Sequence, residues 1–165
     1  MGVVENRGIT FWKTLQGQWN SAVILEHRND IMIKDIPSFV VEDVAVAVVP
    51  ELNKEGARQW NCYLINMRDD RLDGVLVTST GYGQLDHQDM KTSTLRHFLD
   101  VVEPHSFAKI ETLIEDVFPL NNEYWVSYYL NKDIYDKRFI FLPGTIAEQN
   151  FVQVPLINKR GVMIR

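Results

Sequence analysis

Along most of this chain, apolar and polar residues alternate with a period of two, the pattern of strands that bury one face and expose the other. In VAVAVV, residues 44 to 49, Val44, Val46 and Val48 share one face, Ala45 and Ala47 leave the other thin, and Pro50 is expected to end the run. CYLINM and GVLVTST follow as two strands, separated by RDDRLD, whose charge and aspartates favour a turn. GYGQLDHQDMK, with glycines at 81 and 83, reads as a longer polar connection. TSTLRHFLDVV fits a helical stripe through Leu95, Phe98, Leu99 and Val102, or a strand through Leu95, His97, Leu99 and Val101. The strand is preferred because its surroundings are β. FAKIETLI continues as a strand after the turn PHS. The strongest hairpin signal is EYWVSYYL and IYDKRFIFL, two aromatic-rich alternating runs joined by NKD, read as a three-residue loop. TIAEQN suggests one helical turn and FVQVPLI a last strand.

Seven or eight short strands, with turn signals roughly every 8 to 12 residues, predict an all-β fold, an immunoglobulin-like antiparallel β-sandwich. No βαβ alternation or internal repeat competes with it. The sandwich is placed at residues 32–158. Residues 1–31 lack a sustained period and read as a loose N-terminal extension or an over-called start, with Met32 as a second start. Residues 159–165, with Lys159, Arg160 and Arg165, read as a short basic tail.

Composition narrows the function classes. The chain of 165 residues is 45% hydrophobic and 24% charged, which suits one globular domain. In residues 1–31 Arg7, Lys13 and Arg28 balance Glu5, Glu26 and Asp30, so the formal charge of -5 belongs to the remainder. Such a balance supplies no broad positive field for a phosphate backbone, and nucleic acid is disfavoured as a partner. The single cysteine, Cys62, cannot form an internal disulfide, so a sandwich here is held by apolar packing and suits a reducing compartment. The first residues lack a basic start and an apolar core of the secretory kind, and no apolar run reaches the roughly 18 residues of a membrane span. A cytoplasmic protein is expected.

Candidate chemistry is sparse. Cys62 lies inside an alternating strand and reads as a small buried hydrophobe, since no histidine near it in sequence would stabilise a thiolate. His87, His97 and His105, with Asp86, Asp89 and Asp100, form the densest run of metal-ligand types, at spacings that match no helical or cysteine-pair zinc pattern. TSTGYG, with Ser79, is neither a nucleophile elbow nor a phosphate loop, and reads as strand-end and turn. Glu111, Glu115 and Asp116 could supply a carboxylate pair only if a pocket separated their acidities, and read as an acidic edge. The aromatic hairpin carries more promise. Trp125, Tyr129, Lys137, Arg138 and Phe139 place basic and aromatic side chains on adjacent strands, a combination that suits an interaction face or base stacking. KRFIF nevertheless lacks the glycines of the usual RNA-recognition strand.

The segments VEDVAVAVVPE, WNCYLINM, GVLVTSTGYG, KTSTLRHF, EYWVSYYL and IYDKRFIFLPGTI resemble a family of small, uncharacterised bacterial proteins labelled the alpha subunit of phenylalanyl-tRNA synthetase. The resemblance covers residues 32–165 and implies association with tRNA or a synthetase. It brings no catalytic residues: the arginine-bearing ATP motif and the glycine-rich motif of class II synthetases are absent, and the chain is too short for their catalytic domain. The expected function is therefore a non-enzymatic interaction module that presents a sheet face to a protein partner or to a second copy of itself, with no cofactor. The alternatives are a metal-dependent enzyme using the His87, His97 and His105 region, and a tRNA- or synthetase-associated protein.

Overall fold

The structure, a computed structural model, describes residues 40–165 and, before them, three strands: β1 (Val3–Asn6), β2 (Ile9–Lys13) and β3 (Trp19–Ala22). The chain divides into two compact units, Met1–Pro37 and Ser38–Arg165. In the first, β1, β2 and β3 pair antiparallel in sequence order. The reading of residues 1–31 as a loose extension or over-called start otherwise lies outside the described residues.

The second unit is all-β, two antiparallel sheets packed around one apolar core. Its strands are β4 (Val44–Leu52), β5 (Arg58–Asn66), β6 (Leu72–Leu85), β7 (Gln88–Lys91), β8 (Leu95–Val102), β9 (Ser106–Leu113), β10 (Asn121–Leu130), β11 (Asp133–Phe141), β12 (Val152–Val154) and β13 (Lys159–Ile164). Sheet I runs β12-β13-β4-β5-β9. Sheet II runs β11-β10-β6, with β7 and β8 sharing the far edge of β6. The alternation read from sequence decides what each strand buries. Val44, Val46 and Val48 meet Cys62 and Leu64 from sheet I, and Val75, Val77, Tyr124, Val126, Tyr128, Phe139 and Phe141 from sheet II. Trp60 closes one end of this core, edge-on to Phe118 at 5.1 Å and to Phe151 at 6.0 Å between ring centroids, while its indole N–H donates to Glu115 Oε1 at 2.8 Å.

Several local expectations change. The thin face of β4 is not left to solvent: Ala45, Ala47 and Val49 are buried with Tyr63, Ile65 and Val154, against the turn residues Leu156 and Ile157. Pro50 does not end β4, which pairs with β5 through Leu52. Pairing with β13 reaches only Val48, so the missing N–H of Pro50 disrupts no ladder on that side. The polar connection after Gly81 is a hairpin. β6 continues to Leu85 and returns as β7 through Asp86 and His87, both with positive φ (49° and 63°), the geometry of a two-residue type I′ turn. The NKD loop is likewise tighter, with Asn131 and Lys132 at positive φ and Leu130 paired with Asp133. TSTLRHFLDVV is the strand β8, and TIAEQN holds a 3-10 turn at Glu148–Asn150.

The largest correction is at the C-terminus. Residues 159–165 are not a free basic tail, because β13 pairs with β12 through residues 159–161 and with β4 through residues 162–164. The close approach depends on Gly161, where a Cβ would lie 2.5 Å from the Val48 carbonyl oxygen. Lys159, far from being loose, is ion-paired with Glu51. No helix among the described residues is long and apolar enough to cross a membrane.

Candidate functional site

Sheet register sorts the aromatic hairpin into two faces. Tyr124 stands opposite Phe139 and Trp125 opposite Arg138, so alternate residues of β10 and β11 enter the core or face outward together. Phe139, expected on the interaction face, is instead core, only 1% exposed. Lys137 is half-buried, its ammonium 5.3 Å from the centre of the Phe139 ring and donating to the Val41 carbonyl at 3.4 Å. Trp125 and Tyr129 do face outward, at 45% and 46% exposure, and the Arg138 guanidinium lies 5.4 Å from the centre of the Trp125 ring. Tyr129 rests beside Gly74, where a Cβ would come within 3.2 Å of its ring.

The face is wider than the hairpin. Through the ladders of β6, the outward rows read Arg96, Thr78, Trp125, Arg138, then Phe98, Leu76, Ser127, Asp136, then Asp73, Tyr129, Ile134, while Asp100 is exposed at an irregularity of β8, where the ladder pairs it with Val75. Phe98, at 68% exposure, Leu76 and Ile134 therefore join Trp125 and Tyr129 on one four-stranded surface. Phe98 was invisible as a partner of the hairpin because nothing in the sequence pairs β8 with β6. Its signal was the strand alternation of RHFLD, which places Phe98 opposite in sense to His97 and Leu99.

The three histidines do not converge. His97 is opposite Val77, His87 lies in the turn past Leu85, and His105 lies beyond the Leu72 and Val102 pair. At roughly 3.3 Å per residue, about 25 Å of strand separates the His87 turn from the His97 position. His105 is turned to Asp69, with Nε2 2.7 Å from its carboxylate. Among the described residues, no group of three or more histidine, cysteine, aspartate or glutamate side chains is arranged to hold a metal ion.

A different cluster forms where β8 and β9 face one another across the two sheets. On β9 the register slips, Cys62 pairing with Glu111 and Tyr63 with Lys109, so Ile110 is an extra residue. This bulge turns both Ile110 and Glu111 toward the interior, a common way for a strand to re-aim a side chain. There Glu111 Oε2 lies 3.5 Å from His97 Nε2, and the same nitrogen lies 3.3 Å from Ser79 Oγ. The Tyr124 hydroxyl interacts with both the Glu111 carboxylate and the Cys62 thiol. Four sequence candidates, Cys62, Ser79, His97 and Glu111, thus meet at one place, together with Tyr124.

Their arrangement does not make a nucleophile. Serine activation needs one imidazole nitrogen on the hydroxyl and the other on the carboxylate, whereas here both partners meet Nε2. Burial raises the Cys62 thiol far above its ordinary value, outweighing the hydrogen bond with Tyr124. Burial likewise holds Tyr124 well above the usual phenol range. Cys62 and Tyr124 accordingly stay protonated.

The cluster borders a cavity of about 350 Å³. It opens where the outer strand breaks: Thr92, Ser93 and Thr94 separate β7 from β8, and Thr92 Oγ1 accepts from the Gly81 N–H at 2.8 Å. Ser79, Glu111, Asn122 and Tyr124 contribute polar atoms, and Leu95, Leu113, Ile114 and Val117 contribute apolar walls.

On the opposite face of β5, Glu51 receives hydrogen bonds from Lys159, Tyr63 and Asn61, and Thr112 Oγ1 donates to Asn61 Oδ1 at 2.9 Å. Burial would raise the Glu51 carboxyl, but these donors and the lysine charge lower it to about 2. Burial and the Glu51 hydrogen bond push Tyr63 up to about 12. Every member of this network has a partner, which marks it as an anchor for β13 rather than a reactive group.

No protein family, curated protein or solved structure matches this chain.

Proposed function

We propose that this protein is a non-catalytic interaction module whose working surface is the outer face of sheet II, and that its partner is a second copy of the same chain. The observation that carries this reading is the clustering of Phe98, Leu76, Trp125, Tyr129 and Ile134 on one sheet face, where exposed apolar surface of this extent is expected to have an occupant. Charge then selects the occupant. The row containing Arg96 and Arg138 lies at one end of the patch, and Asp100, at the irregularity of β8, with Asp73, which is ion-paired with Arg71, lie toward the other. A two-fold axis across the strands, through the Phe98 and Leu76 row, sets Arg96 of one copy against Asp100 of the other and Trp125 against Tyr129. The end rows are complementary to one another, whereas the Asp136 side chains of the two copies meet on the axis and oppose association.

Four strands by the length of residues 72 to 80 give a footprint of roughly 19 Å by 27 Å, about 500 Å² per copy. A total near 1,000 Å² lies at the lower bound for a specific interface, so the association is expected in the micromolar range or weaker. The immunoglobulin-like character of the sandwich belongs to the same proposal: two antiparallel sheets around one core support it, and it implies recognition by a sheet face rather than by a cleft. A reducing, cytoplasmic setting fits the single buried thiol.

Sedimentation velocity over a concentration series tests the reading. A monomer–dimer equilibrium that Phe98→Asp abolishes supports it. A strictly monomeric wild-type profile up to several hundred micromolar refutes it. Salt-sensitive tRNA binding by that monomer would favour the role implied by the synthetase-family resemblance instead.

A further inference from the structure

The cavity between β8 and β9 is independent of the sheet II face and serves none of the contacts proposed there. We infer that it is a binding site for a small amphipathic amine, a ligand with a cationic N–H head and an apolar body. Its size lies within the range of small-molecule sites and accommodates about a dozen non-hydrogen atoms.

The polarity of the lining selects the head group. The ionisable groups around the cavity are Glu111, Glu123 and Tyr124, with no lysine or arginine among the lining residues, so an anion meets acceptors and like charge while an ammonium meets complementary charge. Glu123 already accepts from the Tyr82 hydroxyl at 3.1 Å. Glu111 is the carboxylate that the β9 bulge turns inward, and its nearest cationic candidate, His97, stands 3.5 Å away and is shared with Ser79. Ser79 and Glu111 both line the cavity, so an ammonium within it can donate to the Glu111 carboxylate or the Ser79 hydroxyl beside the His97 Nε2 that already lies between them.

The walls select the body. Leu113 and Val117 line the cavity, while Leu95 and Ile114 flank its mouth at 47% and 64% exposure, one from each sheet edge. Isolated exposed aliphatics are ordinary. Two of them facing across a cavity mouth form an apolar collar that a purely hydrophilic cation would leave unused, which is why an alkyl or aryl chain is required behind the amine. The mouth itself exists because the outer strand is interrupted at Thr92, Ser93 and Thr94 rather than continuing the ladder along β6.

The test is an amide NMR titration of the full chain with 4-phenylbutylamine, 4-phenylbutanol and 4-phenylbutyrate, matched in body and differing in head. The expected result is saturable shifts from the amine at residues 79–81, 111–114 and 124, in the sub-millimolar range, with at least tenfold weaker response to the alcohol and none to the acid. Glu111→Gln should weaken the amine at least tenfold. Ile114→Arg, at an exposed position that leaves the core untouched, should abolish binding by placing a cation at the mouth, and so keeps the test decisive should Glu111→Gln misfold. Equal responses to all three heads, absence of saturation, or amine shifts confined to the exposed acidic turns would each overturn the assignment.

Discussion

Gly161→Ala tests the C-terminal strand directly. The new Cβ would sit 2.5 Å from the Val48 carbonyl oxygen, 3.0 Å from Val49 Cγ2 and 3.2 Å from Val49 Cα. Two of these neighbours are backbone, so neither can rotate aside, and β13 must move off β4. Overpacking of a close-packed site costs about 1 to 3 kcal/mol. Displacing β13 also disturbs the Val162 and Val48 pairing and the Lys159 and Glu51 contact. Against this, alanine narrows the unfolded ensemble and contributes about 0.4 to 1 kcal/mol of stabilisation. The net expectation is a loss of about 2 kcal/mol. With a urea slope of about 2 kcal/mol per molar, the unfolding midpoint should fall by roughly 1 M. Amide exchange at Val162 to Ile164 should accelerate as well. Gly56→Ala is the control: its φ of 79° makes alanine strained, but nothing lies within 4 Å of the added methyl. It should cost about 1 kcal/mol and leave β13 protected. If Gly161→Ala leaves the midpoint unchanged or raises it, residues 159–165 do not pack against β4.

Three further outcomes follow from the same contacts. Phe139→Ala should destabilise the fold by about 3 to 5 kcal/mol in urea unfolding, while Trp125→Ala costs under about 1 kcal/mol, because only the first ring is core. The Glu51 carboxyl, held near 2 in the folded state against 4.5 unfolded, contributes stability above pH 4.5 that fades as the pH falls toward 2. Glu51→Gln should therefore lower stability near neutral pH and flatten the acid limb of the unfolding profile, by on the order of 1 kcal/mol after solvent screening. Cys62 should resist a thiol-reactive disulfide reagent at pH 8 in the native protein and react promptly in urea; rapid native labelling would contradict its burial.

The strands were legible where alternation was strong. Val44 to Val48 declare their inner face because valines recur at every second position, and the Tyr124 to Phe141 hairpin declares its two strands. Phe139, however, lies on the opposite face from the one expected, because the cross-strand register that sets it opposite Tyr124 is not written in either strand alone. The candidate site was not, and the reasons are physical. A bulge at Ile110 reverses the sense of Glu111 without altering composition, so a residue that alternation assigns to the acidic edge enters the interior. The meeting of Ser79, His97, Glu111, Tyr124 and Cys62 depends on which strands become neighbours, and local periodicity carries no information about that. Asp86 and His87 form a turn through left-handed backbone geometry, where glycine or asparagine would have announced it. β13 was hidden for a related reason: the basic residues of NKRGVMIR suggested solvent, while the half-buried carboxylate that receives Lys159 lies more than 100 residues earlier in the chain.

The proposed self-association rests on Arg96 of one copy meeting Asp100 of the other, and a charge swap measured by sedimentation equilibrium probes it most directly. Arg96→Asp alone and Asp100→Arg alone should each weaken the dimer at least tenfold, and an equimolar mixture of the two variants should recover it, since in the mixed dimer both symmetry-related contacts pair an acidic with a basic side chain. The double variant Arg96→Asp with Asp100→Arg should recover near wild-type association. Unchanged dimerisation in both single variants, or a double variant as weak as either, would contradict the proposed face-to-face dimer.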